Sequence, residues 1–257
     1  LVRAFLVLTI LAGGCSYVTD RTPYEGACAP MAVVGWSPPP GDVGVPINPT
    51  IRVTLSDYPD PDTISVNSML LTSGFFRVPE AYRVDLLTRS VVMTPIGQLT
   101  TDVGYAITVG SGVKSLAGCS GRTAQTTFIT GEGSIDTPPP PKTTFADIQP
   151  ILATRCAGGC HAAEDGTCLD APVAGLSLCT TQARGALVDV PSTELAGISL
   201  VAPYDAARSY LIRKVVPGTP GGGPIPGTFG QREPPDAPLP PDQLRAMSDW
   251  IDGGALP

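Results

Sequence analysis

Four consecutive prolines, Pro138-Pro139-Pro140-Pro141, divide the chain into two stretches of different texture. Proline fixes φ and has no backbone N–H, so such a run enters neither a helix interior nor a central strand. It favours an extended polyproline II rod. Residues 132–142 are therefore expected to be a semi-rigid linker that holds an N-terminal and a C-terminal unit apart, making the protein multidomain.

Before the linker, residues 31–131 have the pattern of short strands separated by turns. Ile51-Arg52-Val53-Thr54-Leu55 and Tyr105-Ala106-Ile107-Thr108-Val109 alternate apolar and polar side chains, which places one face of each against a core. Met69-Leu70-Leu71, Tyr82-Arg83-Val84-Asp85-Leu86 and Val91-Val92-Met93 are further strands. Pro38-Pro39-Pro40-Gly41, Thr94-Pro95 and Ser111-Gly112 supply turn chemistry between them. About seven short strands over roughly 100 residues point to an all-β two-sheet sandwich. The segment resembles the bacterial Ig-like domains of cell-surface proteins, of the surface-layer type. The resemblance is carried by Ser37-Pro38-Pro39-Pro40-Gly41, by the stretch from Val45 to Ser56, and by Tyr105 to Val109 followed by Val113 to Gly118. It implies a spacer or surface-presentation role.

Residues 1–14 carry one basic residue, Arg3, and then a short apolar run ending in Ala12-Gly13-Gly14-Cys15. The run is too short to span a bilayer comfortably and ends in small residues, as export signals do. It resembles a bacterial lipoprotein signal, which implies that Cys15 is acylated, that residues 15–30 are a tether and that the protein is lipid-anchored, with the outer membrane expected. An ordinary secretory signal is the alternative. Both readings place the protein outside the cytoplasm, in the periplasm or at the surface. The net charge of −7 and the scattered Lys and Arg give no support to nucleic-acid binding.

After the linker the pattern changes. Thr144-Phe145-Ala146-Asp147 has the form of a helix start before Ile148, Ile151 and Leu152, with Pro150 marking a kink or a second start. Near the end, Leu244, Met247, Trp250 and Ile251 share one helix face, which Gly253-Gly254 terminates. Between these helices lies Cys156-Ala157-Gly158-Gly159-Cys160-His161, and His161 is the single histidine of the chain. Two cysteines followed at once by histidine suit covalent haem attachment, with thioethers from the thiols and iron on the imidazole. The usual spacing puts two residues between the cysteines; here there are three.

The stretch from 143 to 257 resembles the cytochrome c-like domains of exported planctomycete and myxobacterial proteins. Phe145 to Leu152, Arg155 to His161, Ser209 to Lys214, Pro238 to Leu244 and Asp249 to Ala255 carry that resemblance. It implies a mainly α, class I cytochrome c-like domain with one haem c. Cys156 and Cys160 would be the attachment points and His161 the proximal iron ligand. The implied function is single-electron transfer with a redox partner protein that the sequence does not name, and no enzymatic turnover. Where the family carries a methionine as sixth ligand this chain has Glu233. Met247 is the remaining distal candidate, although its spacing marks a core residue. An open iron site would suit a sensor or a peroxidase, for which no base is visible.

With Cys15 lipidated and Cys156 and Cys160 on haem, four cysteines remain. Cys28–Cys119 and Cys168–Cys179 are the natural disulfides in an oxidising compartment, one per unit, out of three connectivities. The alternative reading is a haem-free surface structural or adhesion protein in which Cys156 and Cys160 form a disulfide.

Overall fold

The computed structural model describes residues 25–26, 28–136, 142–218 and 223–257. The lipoprotein signal, Cys15 and the proline run lie outside the described residues.

Nine strands form the N-terminal unit: β1 Val33–Ser37, β2 Asp42–Val45, β3 Ile51–Leu55, β4 Met69–Ser73, β5 Phe76–Val78, β6 Glu80–Asp85, β7 Ser90–Pro95, β8 Gly104–Val109 and β9 Ala124–Thr130. They make two sheets, in the orders β1-β3-β7-β6 and β2-β9-β8-β4-β5. All neighbours are antiparallel except β2 and β9, which run parallel. The alternation read from the sequence is the reason they face each other. Ile51, Val53 and Leu55 of the first sheet and Met69, Leu71, Ile107 and Val109 of the second are buried. Tyr105 and Phe128 stack between them with ring centroids 5.6 Å apart. Glu80, on β6, crosses from one sheet to the other: its Oε1 accepts from the Leu71 backbone N at 3.1 Å and lies 2.6 Å from the Tyr82 hydroxyl. The expected disulfide Cys28–Cys119 closes the unit, its Cα atoms 5.5 Å apart across 91 residues of sequence. A loop of that length places the chain-entropy contribution of the bridge at about 4–5 kcal/mol.

The mainly α, class I cytochrome c-like domain expected for 143–257 does not form. The helices are short: α1 Phe145–Leu152, α2 Ala183–Leu187, α3 Tyr210–Val215 and α4 Pro241–Asp252 have 8, 5, 6 and 12 residues. By extent of regular structure the protein is mostly β-sheet. The physical reason lies in the residues between the helices. Pro150 removes one donor inside α1, which ends at Leu152, and the chain passes into a π-type turn over Ala153–Ala157. Beyond it, positive φ at Gly158, Gly159, Gly166, Ala174, Gly175, Asp189, Gly197 and Tyr204 breaks every stretch that could extend a helix. Turns and isolated bridges such as Val188 with Val201 hold these loops instead.

The first and last helices do meet. Asp147 accepts from the Thr144 backbone N at 2.8 Å and from its hydroxyl at 2.9 Å, which starts α1. Phe145 and Trp250 pack with ring centroids 5.5 Å apart, and Trp250 Nε1 donates to the Leu256 carbonyl at 2.9 Å. Met247 is completely buried on α4, as its spacing predicts.

The two units are not held apart. Arg83 pairs with Asp252 at 3.0 Å, Arg245 with Asp85 at 3.2 Å and Arg208 with Asp62 at 2.7 Å. Each pair joins the sandwich to the C-terminal unit, and the apolar residues of both halves form one continuous core.

Candidate functional site

A cavity of about 300 Å³ opens in the C-terminal unit, at the lower end of the small-molecule range. Its apolar walls come from the loop carrying Leu176 and Leu178, from Leu187 on α2 and from Leu211 and Val215 on α3. Cys156, His161, Glu194, Tyr210, Lys214 and Glu233 supply its polar atoms.

The His161 ring packs against the Leu176 carbonyl. Nδ1 lies 3.0 Å from the Leu176 carbonyl oxygen, which only accepts, so Nδ1 carries the proton and Nε2 keeps its lone pair. The backbone around it is fixed: His161 N donates to the Ala157 carbonyl at 3.1 Å, and the His161 carbonyl accepts from Leu178 N at 2.8 Å. Burial lowers the imidazole pKa, against the opposing pull of the Leu176 and Val173 backbone groups, so the ring is neutral at neutral pH. A neutral imidazole with one nitrogen tied to a carbonyl is the form in which histidine binds a metal.

The expected Cys168–Cys179 disulfide is present, with Cα atoms 4.9 Å apart. It closes the loop that carries Leu176, and Cys179 is fully buried with Ala157 and Ala162 beneath the Cys156–His161 turn. The bridge therefore braces the carbonyl that orients the imidazole.

The other two cysteines separate. Cys156 is a free thiol on the cavity wall. Burial pushes its pKa up to about 12; the Glu233 charge adds to this and Arg155 opposes it. Because Cys156 is free, it is not joined to Cys160. The Cys156–Cys160 disulfide of the alternative reading is therefore corrected. Gly158 at φ 20° and Gly159 at φ 79° turn the chain sharply between them, and only Cys156 reaches the cavity.

Glu233 lines the cavity as well, its backbone N donating to the Lys214 carbonyl at 2.8 Å. Burial raises its carboxyl pKa, with Lys214 acting in the opposite direction. Met247 is in the core and is not among the cavity residues.

Three cavity residues had no role in the sequence reading. Glu194 Oε2 accepts from the Tyr210 hydroxyl at 2.6 Å and from Lys214 Nζ at 3.1 Å, and Lys214 Nζ also donates to the Phe229 carbonyl at 2.6 Å. Their signal was the i, i+4 spacing of Tyr210 and Lys214, which puts both on the face of α3 that also carries Leu211 and Val215. No group of three or more His, Cys, Asp or Glu side chains suited to hold a metal ion occurs among the described residues.

With this geometry in place, comparison with known proteins concerns the N-terminal unit. Residues 28–130 match the family described as bacterial Ig-like domain. Domains of this family occur in extracellular bacterial proteins, and no helix among the described residues is long and apolar enough to cross a membrane. Comparison with curated proteins finds no match. Among solved structures, the N-terminal part of the bacterial S-layer protein SbsC is similar at 16% identity and a TM-score of 0.33, over 40% of this chain and 24% of that one. This chain thus spans about a quarter of that S-layer structure. CopC from Methylosinus trichosporium OB3b is similar at 16% identity and a TM-score of 0.34, over 42% of this chain and 99% of that one. An L,D-transpeptidase from Mycobacterium smegmatis is similar at 16% identity and a TM-score of 0.31, over 40% and 41%.

Proposed function

We propose that this protein works outside the cytoplasm as a lipid-anchored surface module, in which the Ig-like sandwich is the structural and presenting unit for the C-terminal unit docked on it. The observation that carries this reading is the bacterial Ig-like match over 28–130, closed by the Cys28–Cys119 disulfide. A second disulfide in the C-terminal unit is of a kind that persists in oxidising compartments. The outer membrane is the proposed location and Cys15 the proposed site of acylation. The test is metabolic labelling with a fatty-acid analogue, followed by fractionation, of the parent and of Cys15→Ala. Label and membrane recovery lost together in the variant support the anchor; an unlabelled parent in the soluble fraction overturns it.

A second reading is favoured by one observation, the His161 imidazole held by Leu176 in the same apolar cavity as the Cys156 thiol. On this reading the cavity takes one haem c and the protein passes single electrons to a partner protein; neither reading asks for substrate turnover. The imidazole, the free thiol and the apolar walls fit such a group. Cys160 does not, because it lies outside the cavity lining. Haem would supply a one-electron ferric–ferrous couple when bound. His161 Nε2 would hold its iron, Cys156 would tether its edge, and Leu176 would fix the imidazole plane. Expression with a cytochrome c maturation system, acid–acetone extraction and a reduced pyridine haemochrome spectrum decide it. Haem retained by the polypeptide supports the reading, and a colourless protein leaves the surface module alone.

A further inference from the structure

α3 is a wall of the cavity, through Tyr210, Leu211, Lys214 and Val215. A helix of six residues does not persist by its own hydrogen bonds, so its position depends on the packing of its buried face and on what holds its ends. The start of α3 is bonded within its own unit, Tyr210 N to the Ser199 carbonyl and Leu211 N to the Leu200 carbonyl, each at 2.9 Å, and the segments flanking both ends are held in addition by the Ig-like unit. Just before α3, Arg208 Nε donates to Asp62 Oδ1 at 2.7 Å and Nη2 donates to the Pro61 carbonyl at 2.8 Å. Just after it, the Pro217 carbonyl accepts from the Tyr58 hydroxyl at 2.8 Å. The two anchors lie within one short segment of the sandwich, and that segment is itself rigid. Pro61–Thr63 is a 3-10 turn whose Asp62 N is capped by the Asp60 side chain at 3.1 Å. Asp60 N donates to the Lys114 carbonyl at 2.8 Å, and the Tyr58 carbonyl accepts from Leu116 N at 2.9 Å. Tyr58 itself is buried.

We infer that the Ig-like unit clamps the cavity wall, with the segment from Tyr58 to Asp62 gripping α3 at Arg208 and Pro217, so that docking of the sandwich and the shape of the cavity are coupled. A contact made on that segment from outside reaches the cavity without passing through the linker. This goes beyond both functional readings, because the clamp operates whatever occupies the cavity.

The test is amide hydrogen exchange of the full chain, read by mass spectrometry on peptides covering 210–216. Tyr58→Phe with Asp62→Ala changes the clamp and leaves the C-terminal sequence intact. It is expected to speed exchange in 210–216 about tenfold, as loss of a hydrogen bond and a charged contact does, with 105–109 of the sandwich unchanged. Tyr58→Phe alone removes one hydroxyl and is expected to give about a threefold increase. Arg83→Gln is the control: it breaks a different contact between the units, Arg83 with Asp252, and is expected to leave 210–216 unchanged. Parent-like exchange in both Tyr58 variants overturns the inference. So does equal acceleration by Arg83→Gln, which would mean general undocking in place of a clamp on α3.

Discussion

Asp85 of β6 and Arg245 of α4 meet at 3.2 Å across the boundary between the two units, and the Asp85 side chain is fully buried there. Arg52 approaches the same carboxylate oxygen from within the sandwich at 3.5 Å. Burial by itself would raise the Asp85 pKa. The Arg245 guanidinium and the hydrogen bonds from Thr88 outweigh it and hold the carboxyl below its ordinary value.

A pH dependence follows from that sign. A carboxyl with a lowered folded-state pKa contributes stability that is complete above the unfolded value and lost as pH falls through the folded one. The loss should therefore begin near pH 4, about the unperturbed aspartate value, and deepen below it. Asp85→Asn should lower stability at pH 7 by about 2–3 kcal/mol, moderated because both guanidiniums keep more than a third of their surface in water. The variant should also lose part of the parent's acid sensitivity. Urea melts at pH 7 and pH 3.5 on both proteins check this.

Cys156 should be a sluggish thiol in the haem-free protein. With its pKa pushed up to about 12, chiefly by burial, the reactive thiolate is scarce at pH 8. Alkylation by iodoacetamide should run at least about 100-fold slower in the native chain than in urea. Because Glu233 is the smaller cause, Glu233→Gln should change that rate only slightly. Peptide mass spectrometry over a time course gives both numbers.

Removing the Cys168–Cys179 bridge should act on the site as well as on stability. Cys168→Ser with Cys179→Ser opens a loop of sequence separation 11, at a cost of about 2–3 kcal/mol. The Leu176 carbonyl then loses its brace, and the single histidine should show a broadened or shifted imidazole resonance by NMR. A variant that melts early but keeps the parent resonance would separate the bridge from the orientation of His161.

Trp250 is the centre of the contact between the first and last helices. Trp250→Ala should cost about 3–5 kcal/mol, the range for truncating a buried aromatic side chain, and Trp250→Phe less, through loss of the Nε1 bond to Leu256. Thermal melts followed by circular dichroism rank the two.

The strands legible in the sequence were those whose inward residues are apolar. β3 and β8 stand out because every second residue is aliphatic or aromatic. β9 also alternates, but two of its buried residues are Thr126 and Thr130, so the pattern is hidden from a hydrophobicity count. β2 is largely exposed and contains Gly44 at φ 74°, which reads as turn. In the C-terminal unit the faces of α1 and α4 were legible and the fold between them was not. The resemblance suggested a helical domain, yet 158–209 is governed by left-handed turns that no periodicity reports. Docking of the units escaped for a related reason. Arg83 and Asp252 are 169 residues apart, and nothing local to either marks the other as its partner.

For the cavity, the motif from Cys156 to His161 was visible and its geometry was not. Spacing alone suggested two thiols facing one ligand, whereas two glycines with positive φ direct only the first of them to the cavity. Tyr210, Lys214 and Glu194 come together only after α3 is placed against the loop that carries Glu194.

The Cys168–Cys179 bridge and the Leu176 carbonyl that faces the imidazole belong to one loop, so the redox state of the compartment reaches the histidine through the backbone. In an oxidising space that loop is closed; a chain held in a reducing cytosol would carry the same sequence with the loop open.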